Sequence, residues 1–205
     1  NLALCAEHFD AWMLKRVTKA IEEFGMFSKE DKILVAVSGG KDSLALWDIL
    51  LRLGYDSSGL YINLGIKEGD YSDESERLAM AFANRVNAKL YVVNIEQLHG
   101  MSIPDKAYAK KRKTCSLCGV TKRYYMNKIA RDMGFDVIAT GHNLDDQAAA
   151  LLGNMLFWKM DYLAKGAPYS PPMKAGEFAK AKPMVYCTEK EDTVYCLLRG
   201  IAYIE

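Results

Sequence analysis

The sequence predicts an α/β fold with a doubly wound parallel sheet, and three observations carry that prediction. Short β-prone apolar runs alternate with stretches of helical periodicity. The first run passes through a Gly-Gly turn directly into a helix. Half of the 205 residues are apolar, enough for one domain of ordinary size with small appendages. Strands that alternate with helices pair in parallel through right-handed crossovers, so a ligand site belongs at the carboxyl ends of the strands.

In chain order, NLALCAEH comes first and sets Cys5 and His8 at the spacing of half a zinc site. Two ligands do not close a tetrahedron, and read alone the pair is better taken as a buried thiol and a surface imidazole. Phe9, Trp12, Met13, Val17, Ala20, Ile21 and Phe24 then trace one helical face, which Gly25 stops. Residues 1–28 therefore form a half-site and a helix, and 29–205 form the main domain.

Ile33 to Val37 reads as a strand buried on both faces, and Leu44 to Leu53 as a helix. Between them lies SGGKDS, Ser38 to Ser43. A helix N-terminus after a tight turn aims unpaired amides and partial positive charge at an anion. Gly39 and Gly40 allow positive φ and close backbone approach, so the amides form a concave nest. Ser38 and Ser43 add hydroxyls, Lys41 a positive charge, and Asp42 a carboxylate able to hold Mg²⁺ against phosphate oxygens. The guest implied is a polyphosphate. The spacing is neither a Walker loop nor GxGxxG; SGGKDS resembles the pyrophosphate loop of ATP pyrophosphatases.

Gly59 to Leu64 reads as the second strand, Ser72 to Val86 as a helix, and Lys89 to Ile95 as the third strand. Lys106 to Arg123 then holds seven Lys or Arg residues around Cys115 and Cys118. A charge run is by itself a solvated face, but here it surrounds a CxxC on a chain whose formal charge is +1, which suggests contact with nucleic-acid phosphates. Thiolates beside cations are favoured, and the CxxC is half a zinc site, a redox pair, or two ligands of an iron–sulfur cluster.

Lys122 to Met133 is helical and Phe135 to Thr140 is the fourth strand. Gly141 follows as a second close-approach turn, and Asp145 and Asp146 open a helix. One of these carboxylates suits a cap; two at a strand end suit Mg²⁺ or proton handling. GAPYSPPMKAGEF is Pro/Gly-rich, loop-like, and expected to move over the site. Thr188 to Ile204 resumes an apolar periodicity.

No apolar run spans a membrane and no signal peptide is visible, so a cytoplasmic location is expected. Five cysteines, two of them in CxxC, fit metal or redox chemistry better than disulfides. A chain that begins at Asn1 without methionine and stops at Glu205 in an apolar pattern reads as cut at both ends.

Taken together, LCAEH, ILVAVSGGKDSLALW, YINLGI, TCSLCGVTKRYYMNKIA and ATGHNLDDQAA resemble the tRNA 2-thiolation enzymes of the TtuA/TtcA group, PP-loop ATP pyrophosphatases with a Rossmann-like domain. The resemblance implies ATP-dependent replacement of the C2 oxygen of a tRNA uridine by sulfur, with release of AMP and pyrophosphate. It implies that Cys115 and Cys118 are two of three ligands of a [4Fe-4S] cluster, the third lying beyond Glu205. It further implies that Lys41, Asp42, Lys122 and Asp146 are catalytic, that Asn63 lines the adenine, and that Gly141 passes the ribose. Cys5 and His8 correspond to half of the family's zinc finger, whose upstream CxxC is absent here. The partners implied are tRNA, a sulfur donor that is a ubiquitin-like thiocarboxylate carrier or sulfide, and a second copy in a homodimer. The rival readings are another PP-loop enzyme, amide-forming or cytidine-modifying, and a non-catalytic ATP- and tRNA-binding zinc module.

Overall fold

The computed structural model describes residues 3–66, 68–163 and 166–204. Asn1, Leu2 and Glu205, at the outer limits of the two expected segments, lie outside the described residues. The strands are β1 (Ile33–Val37), β2 (Ser57–Asn63), β3 (Leu90–Asn94), β4 (Val137–Thr140), β5 (Tyr169–Ser170) and β6 (Ala179–Ala181). The helices are α1 (Ala6–Glu23), α2 (Lys41–Arg52), α3 (Tyr71–Arg85), α4 (Ile95–His99), α5 (Ile103–Ala109), α6 (Thr114–Met133), α7 (Leu144–Leu156), α8 (Met160–Leu163) and α9 (Glu189–Arg199).

The six strands form one sheet in the order β3-β2-β1-β4-β6-β5. Every pair is parallel except β5 with β6. The chain winds outward from β1 through β2 to β3, then returns to lay β4 on the other side of β1. The order therefore reverses between β1 and β4, the place where open α/β sheets leave a crevice beyond their carboxyl ends. Ile33, Val35 and Val37 face a core shared with α1, α2 and α9, while Leu34 faces the opposite core with Ile103, Tyr125 and Ala130. Burial on both faces explains why β1 reads as an unbroken apolar run.

The helix of the first segment belongs to that same core, since Met13, Val17, Ala20 and Ile21 are buried in it. Helix α2 buries every residue from Ser43 to Leu50. The Trp47 indole nitrogen has no partner among the described residues, a desolvation cost of about 1–3 kcal/mol. Burial of Leu44, Leu46, Ile49 and Leu50, at about 1.5–3 kcal/mol each, exceeds that cost and clamps α2 to the sheet. The turn at its N-terminus is thereby held rigidly.

Some elements differ from the sequence reading. Helix α6 begins at Thr114, eight residues before Lys122, so the CxxC is helical. The Pro/Gly-rich stretch is not a free lid: Tyr169 and Ser170 pair with Ala181 and Lys180 along the sheet edge. Helix α7 buries none of its residues and leaves Leu151, Leu152, Met155 and Leu156 exposed. Among the described residues, no helix is long and apolar enough to cross a membrane.

Candidate phosphate-binding and thiol site

The turn from β1 to α2 forces a backbone that a side chain would block. Gly39 has φ +80°, and a Cβ there would meet the Ser75 carbonyl oxygen at 2.7 Å and its Cα at 2.9 Å. Gly40 is the extended N-cap of α2. Ser43 closes the turn from inside: its hydroxyl accepts from the Ser38 amide at 3.1 Å and donates to the Gly40 carbonyl at 2.9 Å. The Ile204 amide donates to the Gly39 carbonyl at 3.0 Å, so the end of the described chain also grips the loop.

The second turn, after β4, packs directly on the first. A Cβ on Gly141 would lie 2.8 Å from the Asp42 carbonyl carbon and 2.8 Å from the Ser43 nitrogen. Asn143 and Asp146 then form a reciprocal capping box: the Asn143 amide donates to Asp146 Oδ2 at 3.0 Å, and the Asp146 amide donates to Asn143 Oδ1 at 3.1 Å. Asp145 accepts from the Glu189 amide at 2.7 Å, which ties α7 to α9.

These turns line a cleft of about 420 Å³. Ser38, Asp42 and Ser43 form one side, and Gly141, His142 and Asp146 the next. Lys122 and Met126 of α6 close it, and Leu60, Ile62, Leu64, Ile66 and Tyr71 make an apolar slot. Asn63 sits behind this wall, 2 % exposed. Its Nδ2 donates to Asp73 at 3.2 Å and Glu76 at 2.7 Å, and its Oδ1 accepts from the Gly65 amide.

Charge is arranged in layers around the loop. Lys41 Nζ donates to Glu189 Oε1 at 2.8 Å and lies 3.9 Å from Asp42. Burial alone lowers the Lys41 pKa, but the Glu189 hydrogen bond and the carboxylates of Asp42, Glu189 and Asp192 lift it above its ordinary value. Asp192 is fully buried, and burial followed by the charge of Asp42 pushes its carboxyl far up. Burial raises Asp42 as well. Asn143 Nδ2 donates to both, at 3.4 Å to Asp42 and 3.3 Å to Asp192. Burial lowers the pKa of Lys182, which faces Asp146 from the end of β6 and donates to Gln147.

Helix α6 links the cleft to the thiols. Cys115, Cys118 and Lys122 fall at i, i+3 and i+7, one face of the helix. At ~1.5 Å rise per residue, Cys118 is ~6 Å and Cys115 ~10 Å along the axis from Lys122. Cys115 is exposed and Cys118 half-buried, with burial raising the Cys118 pKa. Cys187 and Cys196 are buried in the main core, away from this face. Lys110, Lys111, Arg112 and Lys113, all exposed, lead into the same helix. At the other end of the chain, Cys5 Sγ lies 3.0 Å from His8 Nδ1, and hydrogen bonding to His8 lowers the thiol pKa. Among the described residues no three His, Cys, Asp or Glu side chains converge as a metal set. The two thiols of α6 and the Cys5–His8 pair each fit part of a ligand set.

Four residues of this neighbourhood carry no sequence signal of their own: His142, Lys182, Glu189 and Asp192. The last three arrive from the far end of the chain, and His142 sits inside GHNLDD, where the paired aspartates draw attention.

Residues 12–160 match the PP-loop domain family. The tRNA-5-methyluridine(54) 2-sulfurtransferase of Thermus thermophilus is 46% identical over 204 residues, covering 100% of this chain and 63% of the relative. The Thermotoga maritima protein of the same name is 42% identical, covering 100% of this chain and 67% of its own length. The chain thus spans about two thirds of these relatives. The U34-tRNA thiolase NcsA from Methanococcus maripaludis, solved with its [4Fe-4S] cluster, superimposes with a TM-score of 0.82 at 23% identity, over 98% of this chain and 66% of that one, a likeness of fold.

Proposed function

The chain belongs to the PP-loop family, in its tRNA 2-thiolation branch, and from that premise we propose that it activates the C2 oxygen of a tRNA uridine with ATP and replaces it by sulfur. The relatives named for position 54 favour that uridine over the wobble position. The observation that carries the reading is the continuity of one face of α6, from Lys122 in the cleft of the phosphate loop to Cys118 and Cys115. A phosphate loop alone suits any ATP pyrophosphatase. A pair of thiols one and two turns from it suits one that handles sulfur.

In this reading the pyrophosphate of ATP occupies the loop from Ser38 to Ser43. Loop amides and Lys41 meet the charge that grows on the leaving pyrophosphate, the kind of preorganised stabilisation that usually supplies the largest share of a rate enhancement. Asp42 suits Mg²⁺. The apolar slot between Ile62 and Tyr71 suits adenine, with Asn63 bracing the wall behind it, and Gly141 leaves room at the ribose. Lys122 stands toward the α-phosphate with Asp146 opposite. Lys41 exchanges Glu189 for phosphate oxygens when ATP enters.

Cys115 and Cys118 would hold two corners of a [4Fe-4S] cluster, which supplies an open iron able to bind sulfide. A thiocarboxylate carrier or free sulfide is the donor. Cys5 and His8 supply half of a Zn²⁺ site. The unburied face of α7 supports a homodimer, and exposed free thiols accord with a cytoplasmic setting. The test incubates full-length protein with Mg²⁺, ATP, sulfide and unmodified tRNA without oxygen. AMP, pyrophosphate and 2-thiouridine are expected in equal amounts; ADP with phosphate would sink the proposal.

A further inference from the structure

We propose that His142 is the general base that takes the N3 proton of the uridine as its C2 oxygen attacks the α-phosphorus; this rests on the thiolation reading above. The chemistry requires such a group. A uridine carbonyl that gains a bond to phosphorus while keeping its N3 proton becomes cationic, so the proton leaves as the new bond forms.

Few side chains of the cleft fit that task. Lys122 is a cation, and Tyr61 spends its hydroxyl proton on the Ser72 carbonyl at 2.7 Å. Asp42 is bridged by Asn143 to Asp192 and belongs to the phosphate end. Asp146 commits Oδ2 to its capping box. His142 lines the same cleft, and its orientation is set by a hydrogen bond between Nδ1 and Thr140 Oγ1 at 2.8 Å. Thr140 Oγ1 also lies 3.5 Å from the Ala181 carbonyl, which can take its proton. In the tautomer whose Nδ1–H donates to Thr140, the Nε2 lone pair is the basic atom that the proposal uses.

The surroundings favour the neutral ring. Although the side chain is exposed where it faces the cleft, the protein around the rest of it desolvates the imidazolium and lowers its pKa, and Lys182 at the end of β6 acts in the same direction. Asp146 on α7 and Asp42 on α2 act against it without reversing the shift. The neutral imidazole is the form that can take a proton.

The step balances as follows. The N3–H bond breaks and its proton goes to Nε2, while its electron pair forms the N3=C2 bond. The C2=O π pair becomes the O2–P bond, and the bond from the α-phosphorus to pyrophosphate breaks, pyrophosphate leaving with that pair. His142 is then an imidazolium. It returns the proton to N3 when a sulfur nucleophile adds to C2, whose bond to O2 then breaks as AMP leaves with that electron pair.

The experiment measures tRNA-dependent pyrophosphate release by full-length wild type, His142→Gln and His142→Ala, with ATP affinity measured in parallel. Both variants are expected to bind ATP as wild type does and to release pyrophosphate about 10²–10⁴-fold more slowly. Imidazole is expected to restore His142→Ala in proportion to its concentration and to leave Lys41→Ala inactive. Release within a few-fold of wild type in either variant overturns the proposal, as does a loss that imidazole does not restore. If wild type itself releases no pyrophosphate with tRNA, the thiolation reading fails and this step falls with it.

Discussion

Asp42 and Asp192 lie against one amide, with Asn143 Nδ2 donating to Asp42 at 3.4 Å and to Asp192 at 3.3 Å. Among the described residues, the second oxygen of Asp192 is buried without a hydrogen-bond partner. Two carboxyls so placed do not both ionise, which makes the inner one a proton store behind the phosphate loop.

Its consequence is a pH dependence of stability. Burial and then Asp42 push Asp192 up to about 9, far above an unfolded aspartate near 3.8. Between those values the unfolded chain releases a proton that the folded chain keeps. Stability therefore falls as pH rises through this window and levels off above it, by at most about 1.4 kcal/mol per pH unit. Asp192→Asn removes that slope. Denaturant titrations at pH 5 and pH 8 should show wild type losing more stability than the variant; parallel losses would refute the shared proton.

Gly39→Ala and Gly141→Ala should fail for different reasons. At Gly39 the left-handed backbone costs ~1–2 kcal/mol before the collision with Ser75 is counted. Thermal unfolding should fall accordingly. At Gly141 no such φ applies, and the new methyl instead drives the two phosphate-site turns apart. We expect ATP affinity to drop at least about tenfold, or ~1.4 kcal/mol, with a smaller change in stability. Unchanged affinity in Gly141→Ala would mean that the turns need not touch.

Neutralising Lys110, Lys111, Arg112 and Lys113 to glutamine should weaken binding to many tRNAs alike. For each cation that pairs with a tRNA phosphate, its removal reduces the slope of log affinity against log salt by roughly one. Binding isotherms across a salt series test this. Loss of discrimination among tRNAs at an unchanged slope would point to base readout.

Full-length protein purified without oxygen should be brown, and Cys118→Ser should remove colour and iron while leaving ATP affinity intact, because the thiol stands a turn outside the cleft. Iron content, visible absorbance and nucleotide titration give three separate readings. A colourless, iron-free wild type that thiolates tRNA at full rate would end the cluster assignment.

The features legible in the sequence are those built from neighbours in the chain. SGGKDS sits on its strand and helix because each piece is specified within a few residues, and β1 announces its two-sided burial by five apolar residues in a row. The long-range features were silent. Asn63 turns inward because Asp73 and Glu76 of α3 claim its amide, which no local pattern shows. Strands β5 and β6, of two and three residues, are too short to display a period. The start of α6 was hidden because its first turns carry small, polar and sulfur-bearing residues instead of an apolar stripe. Asp145 and Asp146 looked equivalent, yet one caps α9 and the other caps its own helix.

The grip of Ile204 on Gly39 sets an order of events during synthesis. The loop residues leave the ribosome early, followed by the strands and helices that surround them, but the Gly39 carbonyl waits for a partner 165 positions later. Glu189 and Asp192, which face Lys41 and Asp42, emerge almost as late. Contacts of such sequence separation form slowly because a long loop must close before they stabilise anything. A nascent chain that already holds most of this sheet therefore has an unfinished nucleotide site, and competence to bind ATP does not arrive before α9.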